Sequence, residues 1–201
     1  IYFARPDSVI DGVSVYHSRL SGGRFLAEDS PVDADLVVGV PESGNVAALG
    51  YAMASGIPCG TAFVKNPYVG RTFIKPQQSS REAAVRIKLN VLKEAVAGKR
   101  IIMIDDSIVR GTTSPLIIHM LREAGAREVH VRVSAPPFLH PCYFGTDIPT
   151  EDQLLAHGRT LEEIRELIGA DSLAYLKVER LSQLAEGLPI CRACFTGDYP
   201  V

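Results

Sequence analysis

The chain has 201 residues, 46% of them apolar and 22% charged, with a formal net charge of −2 at pH 7. That is enough apolar chain for one well-buried α/β domain with a small appendage, and too short for two full domains. The charge balance gives no basic field for nucleic acid, and no apolar stretch nears the roughly 20 residues that span a bilayer, so a small-molecule partner is expected. No signal-peptide pattern is visible, and Ile1-Tyr-Phe-Ala-Arg-Pro-Asp-Ser8 starts without a methionine inside an apolar run, which reads as a piece of something longer.

The first strand-like run covers 36–40, followed by Pro41-Glu-Ser-Gly44 and a helical pattern over 46–55 that Gly56 closes. A second strand is expected over 61–64; Cys59, just before it, reads as a buried core thiol. Residues 65–78 then break the pattern with two prolines, a glycine and the cations Lys65, Arg71 and Lys75 beside Tyr68, Phe73 and Ile74. A loop this long in a compact domain is functional or disordered: a lid that brings charge to an anion and excludes water, or a solvated linker. Helical periodicity resumes over 82–95, ending near Gly98, and strands follow at 101–104 and 129–133 around a helix at 114–124 closed by Gly125. Strands alternating with helices argue a parallel sheet covered by helices. Beyond Pro136-Pro137 come Cys142, a charged region with a helix over 160–168 closed by Gly169, and Cys191-Arg-Ala-Cys194. The expected division is a core over 1–140 and a C-terminal extension over 141–201 packed against it.

The most informative string is 101–113, Ile-Ile-Met-Ile-Asp-Asp-Ser-Ile-Val-Arg-Gly-Thr-Thr. Its apolar start is a central parallel strand, and ligands sit at the carboxyl ends of such strands. Asp105 and Asp106 stand there. Ser107, Gly111, Thr112 and Thr113 follow with hydroxyls and backbone N–H groups at a helix start, where an anion is favoured. A core turn followed by a plain helix cap is the alternative. Pro41-Glu-Ser-Gly44 repeats the strand, polar loop, helix order: Gly44 allows close backbone approach, and Ser43 offers a hydroxyl. Alone it would also serve as a cap. The histidines His17, His119, His130, His140 and His157 lack metal-ligand spacing, and none is assigned to catalysis.

The 101–113 string resembles the phosphoribosyl pyrophosphate (PRPP) loop of type I phosphoribosyltransferases. Together with Tyr2-Phe-Ala-Arg-Pro-Asp-Ser8, Pro41-Glu-Ser-Gly44, Lys65-Asn-Pro-Tyr-Val-Gly-Arg-Thr-Phe-Ile74, Arg86-Ile-Lys-Leu-Asn90 and Cys191-Arg-Ala-Cys-Phe-Thr-Gly197, it is similar to the glutamine PRPP amidotransferases along almost the whole chain. The resemblance implies a type I phosphoribosyltransferase fold, a parallel sheet flanked by helices with a flexible lid and a C-terminal extension. It also implies attack of ammonia on C1 of PRPP, giving 5-phosphoribosylamine and pyrophosphate in the first step of purine synthesis. By the same resemblance Asp105 and Asp106 hold the ribose hydroxyls and, with Ser43, Mg²⁺. Ser107, Arg110, Gly111, Thr112 and Thr113 receive the 5′-phosphate, Ser43 and Gly44 belong to the pyrophosphate loop, and Lys65, Tyr68, Arg71 and Lys88 belong to the lid and the site it covers. Glu42 stands where the family often has aspartate.

Cys142, Cys191 and Cys194 match ligands of a 4Fe–4S cluster in the iron–sulfur members, whose fourth ligand lies upstream of Ile1; zinc ligation or free thiols are the other readings, and a disulfide is disfavoured in the cytoplasmic enzyme implied. The family's N-terminal glutaminase domain is absent from this sequence, so the chain is expected to use free ammonia at most. Purine nucleotides as feedback inhibitors and a homo-oligomeric state are further implications. A catalytically silent PRPP- or nucleotide-sensing module of the same fold is the rival reading.

Overall fold

The computed structural model describes residues 4–65, 89–144 and 150–200. Two short strands, β1 (Val9–Ile10) and β2 (Val13–Ser14), pair antiparallel around Asp11-Gly12, both at positive φ, the backbone that Asp-Gly favours in a tight hairpin. Helix α1 (Val15–Asp29) follows directly, with the Ser14 hydroxyl accepting from the His17 N–H.

The main sheet contains β3 (Leu36–Gly39), β6 (Arg100–Asp105), β7 (Glu128–Val133) and β8 (Ser172–Tyr175), side by side in that order and all parallel. Alternation along β6 divides the core in two, as the two-residue period of a strand requires. Ile102 and Ile104 point to a layer with Phe25, Leu26, Val37 and Tyr51, formed by α1 and α2 (Gly44–Ser55). Ile101 and Met103 point to the opposite layer, with Ile117 and Leu121 of α4 (Ser114–Glu123) and Ile164 and Ile168 of α5 (Leu161–Ile168). Thr160 caps α5 in a reciprocal box with Glu163, and Gly169 closes the helix in the left-handed region.

Helix α1 was not expected, because Ser21-Gly22-Gly23 in its middle reads as a breaker. Packing accounts for those glycines. A Cβ on Gly23 would lie 1.8 Å from the Ala47 carbonyl oxygen, and one on Gly50 would lie 2.0 Å from that of Leu20, so α1 and α2 touch backbone to backbone.

Other expectations are corrected. Within the expected helix 82–95, the described part is strand β5 (Leu89–Val91) and the short helix α3 (Lys93–Val96). Strand β5 pairs antiparallel with β4 (Phe63–Lys65) in a separate two-stranded sheet, which supplies the hydrogen bonds that a helix would have made internally. The strand expected at 61–64 therefore starts two residues later and stands outside the parallel sheet. Cys59 is exposed, not a core thiol: it makes a single parallel bridge to Val37 at the open edge of β3.

The described residues of the C-terminal extension pack closely with the core. Strand β8 lies in the main sheet, and Ile164, Ile168 and Leu173 share the core with β6 and β7. The expected boundary at 140 thus falls between two neighbouring strands of one sheet. A 3₁₀ turn (Glu151–Gln153), α6 (Arg180–Leu184) and α7 (Ala193–Thr196) complete this part. Arg180 ties α6 to α1 by pairing with Asp29 at 2.8 Å and lying over the Phe25 ring.

Candidate active site

The two loops singled out in the sequence emerge side by side because β3 and β6 are parallel neighbours, with Gly39 opposite Ile104. The Val40 N–H donates to the Ile104 carbonyl at 2.8 Å, which fixes their relative height. Residue 44 must be small for a local reason: its Cβ would lie 2.4 Å from the Ile104 oxygen, so helix α2 starts in contact with β6. The Pro41–Glu42 peptide is cis. Ser43, at the helix start, makes no side-chain capping bond and lines a pocket of about 290 Å³ together with Asp106.

Asp105 sits behind that wall and is only 8% exposed. Burial, and then the charge of Asp106, push its carboxyl up to about 7, against the hydrogen bond it accepts from the Asp106 N–H at 2.9 Å. Among the described residues no cation offsets it. Asp106 accepts a hydrogen bond from the Ser107 hydroxyl at 2.8 Å.

The rest of the loop curls over the start of α4. Thr112 and Thr113 are exposed, Arg110 is half-buried, and Thr113 makes no side-chain cap, so no side chain of the cap residue occupies the N–H groups of the first turn. Gly111 has φ +68°, in the left-handed region that glycine tolerates.

Lys65 ends β4 with its Nζ 3.1 Å from Glu42 Oε1, against the 41–44 loop. Tyr68, Arg71 and Lys88 lie outside the described residues. The other pocket walls come from segments that sequence reasoning missed: Ser18 and Arg19 of α1, and Ser134 just past β7. The signal for the first two was Ser14 as a helix cap ahead of Val15, masked by the glycine pair.

Cys191 and Cys194 line the same pocket from the C-terminal arm, beside Phe138, Leu184 and Phe195. The Cys194 thiol is pushed up to about 11, first by burial and then by Cys142 and Cys191. All four cysteines are free of disulfides. Among the described residues no three of His, Cys, Asp or Glu could hold a single metal ion.

No protein-family model matches the chain. Among curated proteins it is 53% identical over 205 residues to the amidophosphoribosyltransferase of Archaeoglobus fulgidus, covering all of this chain and 45% of that one. The Synechocystis enzyme of the same name is 56% identical over 204 residues, with 41% of it covered, and the Bacillus subtilis enzyme is 53% identical over 206 residues, with 43% covered. A solved structure of glutamine PRPP amidotransferase from B. subtilis, complexed with ADP and GMP, superposes with a TM-score of 0.88 at 53% identity, over 99% of this chain and 45% of that one. A solved allosteric regulatory enzyme of purine biosynthesis gives 0.88 at 52% identity, over 99% and 44%.

The parallel sheet, with its two loops at adjacent strand ends, has the type I phosphoribosyltransferase fold. Within that class the whole chain is similar to part of the amidophosphoribosyltransferases, and it spans less than half the length of the relatives it matches.

Proposed function

We propose that this chain is the phosphoribosyl-transferring part of an enzyme that makes 5-phosphoribosylamine and pyrophosphate from PRPP and ammonia, at the first committed step of purine biosynthesis. The observation that carries this reading is that Ser43 and Asp106, delivered by two neighbouring strands, line one pocket. In the proposed complex Asp106, with Asp105 behind it, takes the ribose hydroxyls. The backbone and hydroxyls of Ser107, Arg110, Gly111, Thr112 and Thr113 take the 5′-phosphate at the start of α4. Ser43 and Gly44 receive the pyrophosphate, with Lys65 and, beyond the described residues, Arg71 and Lys88 adding cations and Tyr68 a phenol hydroxyl.

The donor set fits Mg²⁺: a buried carboxylate pushed up to about 7 beside a second carboxylate is what a divalent cation would relieve. When bound, Mg²⁺ neutralises charge on the departing pyrophosphate. Asp105, Asp106 and Ser43 would hold it. The protein's task is to keep C1 facing the nucleophile and water away, since neutral ammonia needs no strong base.

For the cysteines we propose three ligands of a 4Fe–4S cluster. Each thiolate of such a cluster would bind its own iron, so its ligands need not converge as they do on one ion, and the raising influence of Cys142 and Cys191 on Cys194 supports reading the three as neighbours. The fourth ligand would come from outside this chain. Glutamine-derived ammonia from a glutaminase domain, purine-nucleotide feedback, a homo-oligomeric assembly and a cytoplasmic location complete the proposal. The bound ADP and GMP of the B. subtilis relative support the feedback reading, and four cysteines that form no disulfide suit a reducing compartment.

The test is pyrophosphate release from PRPP with Mg²⁺ and ammonium at alkaline pH. The chain should release it, and the double variant Asp105→Asn, Asp106→Asn should not. Equal release by both proteins would sink the reading.

A further inference from the structure

We infer that Leu155 is a positioning residue for the 5′-phosphate loop, holding residues 109–111 in their binding conformation from behind. This rests on the reading of that loop given above.

Leu155 lies on a short strap between two anchored neighbours. Leu154, 1% exposed, packs with Phe138, Val109, Cys194 and Phe195, and Ala156, 2% exposed, enters the main core. The Leu155 N–H donates to the Val109 carbonyl at 2.8 Å, and its own carbonyl accepts from Arg159 Nη1 at 2.9 Å. Both of its backbone polar groups are thus committed. Its side chain covers the turn at Gly111, where a Cβ would lie 2.6 Å from Leu155 Cδ2. Leu155 thus meets the loop twice, by a backbone hydrogen bond at Val109 and by its side chain at Gly111.

The physical consequence is directional. A turn at φ +68° that presents backbone N–H groups to an anion binds well only if it is held there before the ligand arrives. Removing the Leu155 side chain leaves the loop chemically intact and free to relax. Among the described residues the strap makes no backbone hydrogen bond to the pyrophosphate loop, 41–44, which should keep its affinity.

Calorimetric titration of the intact chain with ribose 5-phosphate, and separately with Mg²⁺ and pyrophosphate, separates the two loops. Leu155→Ala should weaken ribose 5-phosphate about tenfold and leave pyrophosphate within about twofold, while Leu155→Met should restore near wild-type binding of both. Equal weakening of both ligands would mark Leu155 as a general packing residue and overturn the inference, as would no change in either. If Leu155→Ala does not fold, Leu155→Val carries the same comparison with an effect of about threefold. Failure of the wild type to bind either ligand would instead bring down the phosphoribosyl reading, and the inference with it.

Discussion

Asp105 is the residue whose environment and proposed task are most closely linked. Its carboxyl titrates near 7 in the folded chain and near 4 once unfolded, so between those values the folded chain keeps a proton that the unfolded chain has released. Stability of the metal-free protein therefore falls as pH rises through that window. Asp105→Asn removes the dependence, and at pH 8 without divalent cations it should be more stable than wild type by about 1–3 kcal/mol in urea titrations. The same substitution should abolish PRPP turnover, and Mg²⁺ should then no longer raise the melting temperature in the presence of PRPP. Tyr175 offers a second test at this scale. Its hydroxyl is buried with no partner among the described residues and its pKa is pushed up to about 12 by burial alone, so Tyr175→Phe should be neutral or stabilising by about 1 kcal/mol. A loss of stability would mean that the hydroxyl is satisfied in solution.

At the level of elements, the pair α1 and α2 shows where a sequence can be read and where it cannot. Helix α2 was visible because an apolar run ends at Gly56, which adopts the left-handed cap. Helix α1 was not, because Ser21-Gly22-Gly23 lowers local propensity, and the helix is justified only by a partner that meets it backbone to backbone. Gly23→Ala should therefore destabilise by about 2–4 kcal/mol in denaturant titrations, against the usual gain for glycine to alanine in a helix. Strand β8 escaped notice for a related reason: Ser172-Leu-Ala-Tyr175 is short and mixed, and its place beside β7 is set by register across a distant segment. The expected helix at 82–95 failed at its described end because periodicity alone does not separate a short strand from a helix, and β4 supplied the pairing.

On the scale of the molecule, both loops of the candidate site were legible because each combines a buried strand, a polar turn and a helix start in contiguous residues. The strap at 154–156, Ser18, Arg19 and Ser134 were not, since each reaches the site or its loop through the fold from a segment with no local signature. The C-terminal segment is part of the same sheet and pocket wall as the core, and Cys194 packs in one cluster with Val109 of the proposed phosphate loop. Changes at the cysteines should thus be felt at the substrate loops. Cys194→Ser, in protein prepared without air, should lower the affinity for ribose 5-phosphate more than that for pyrophosphate, measured by the same calorimetry. The most direct test of the central claim follows the new bond itself. With PRPP labelled with ¹³C at C1, ¹⁵N-ammonium and Mg²⁺, the C1 resonance of the product should be split by the attached nitrogen. An unsplit resonance with pyrophosphate released would show transfer to water, and an unchanged substrate signal would show no transfer; either would contradict the assignment.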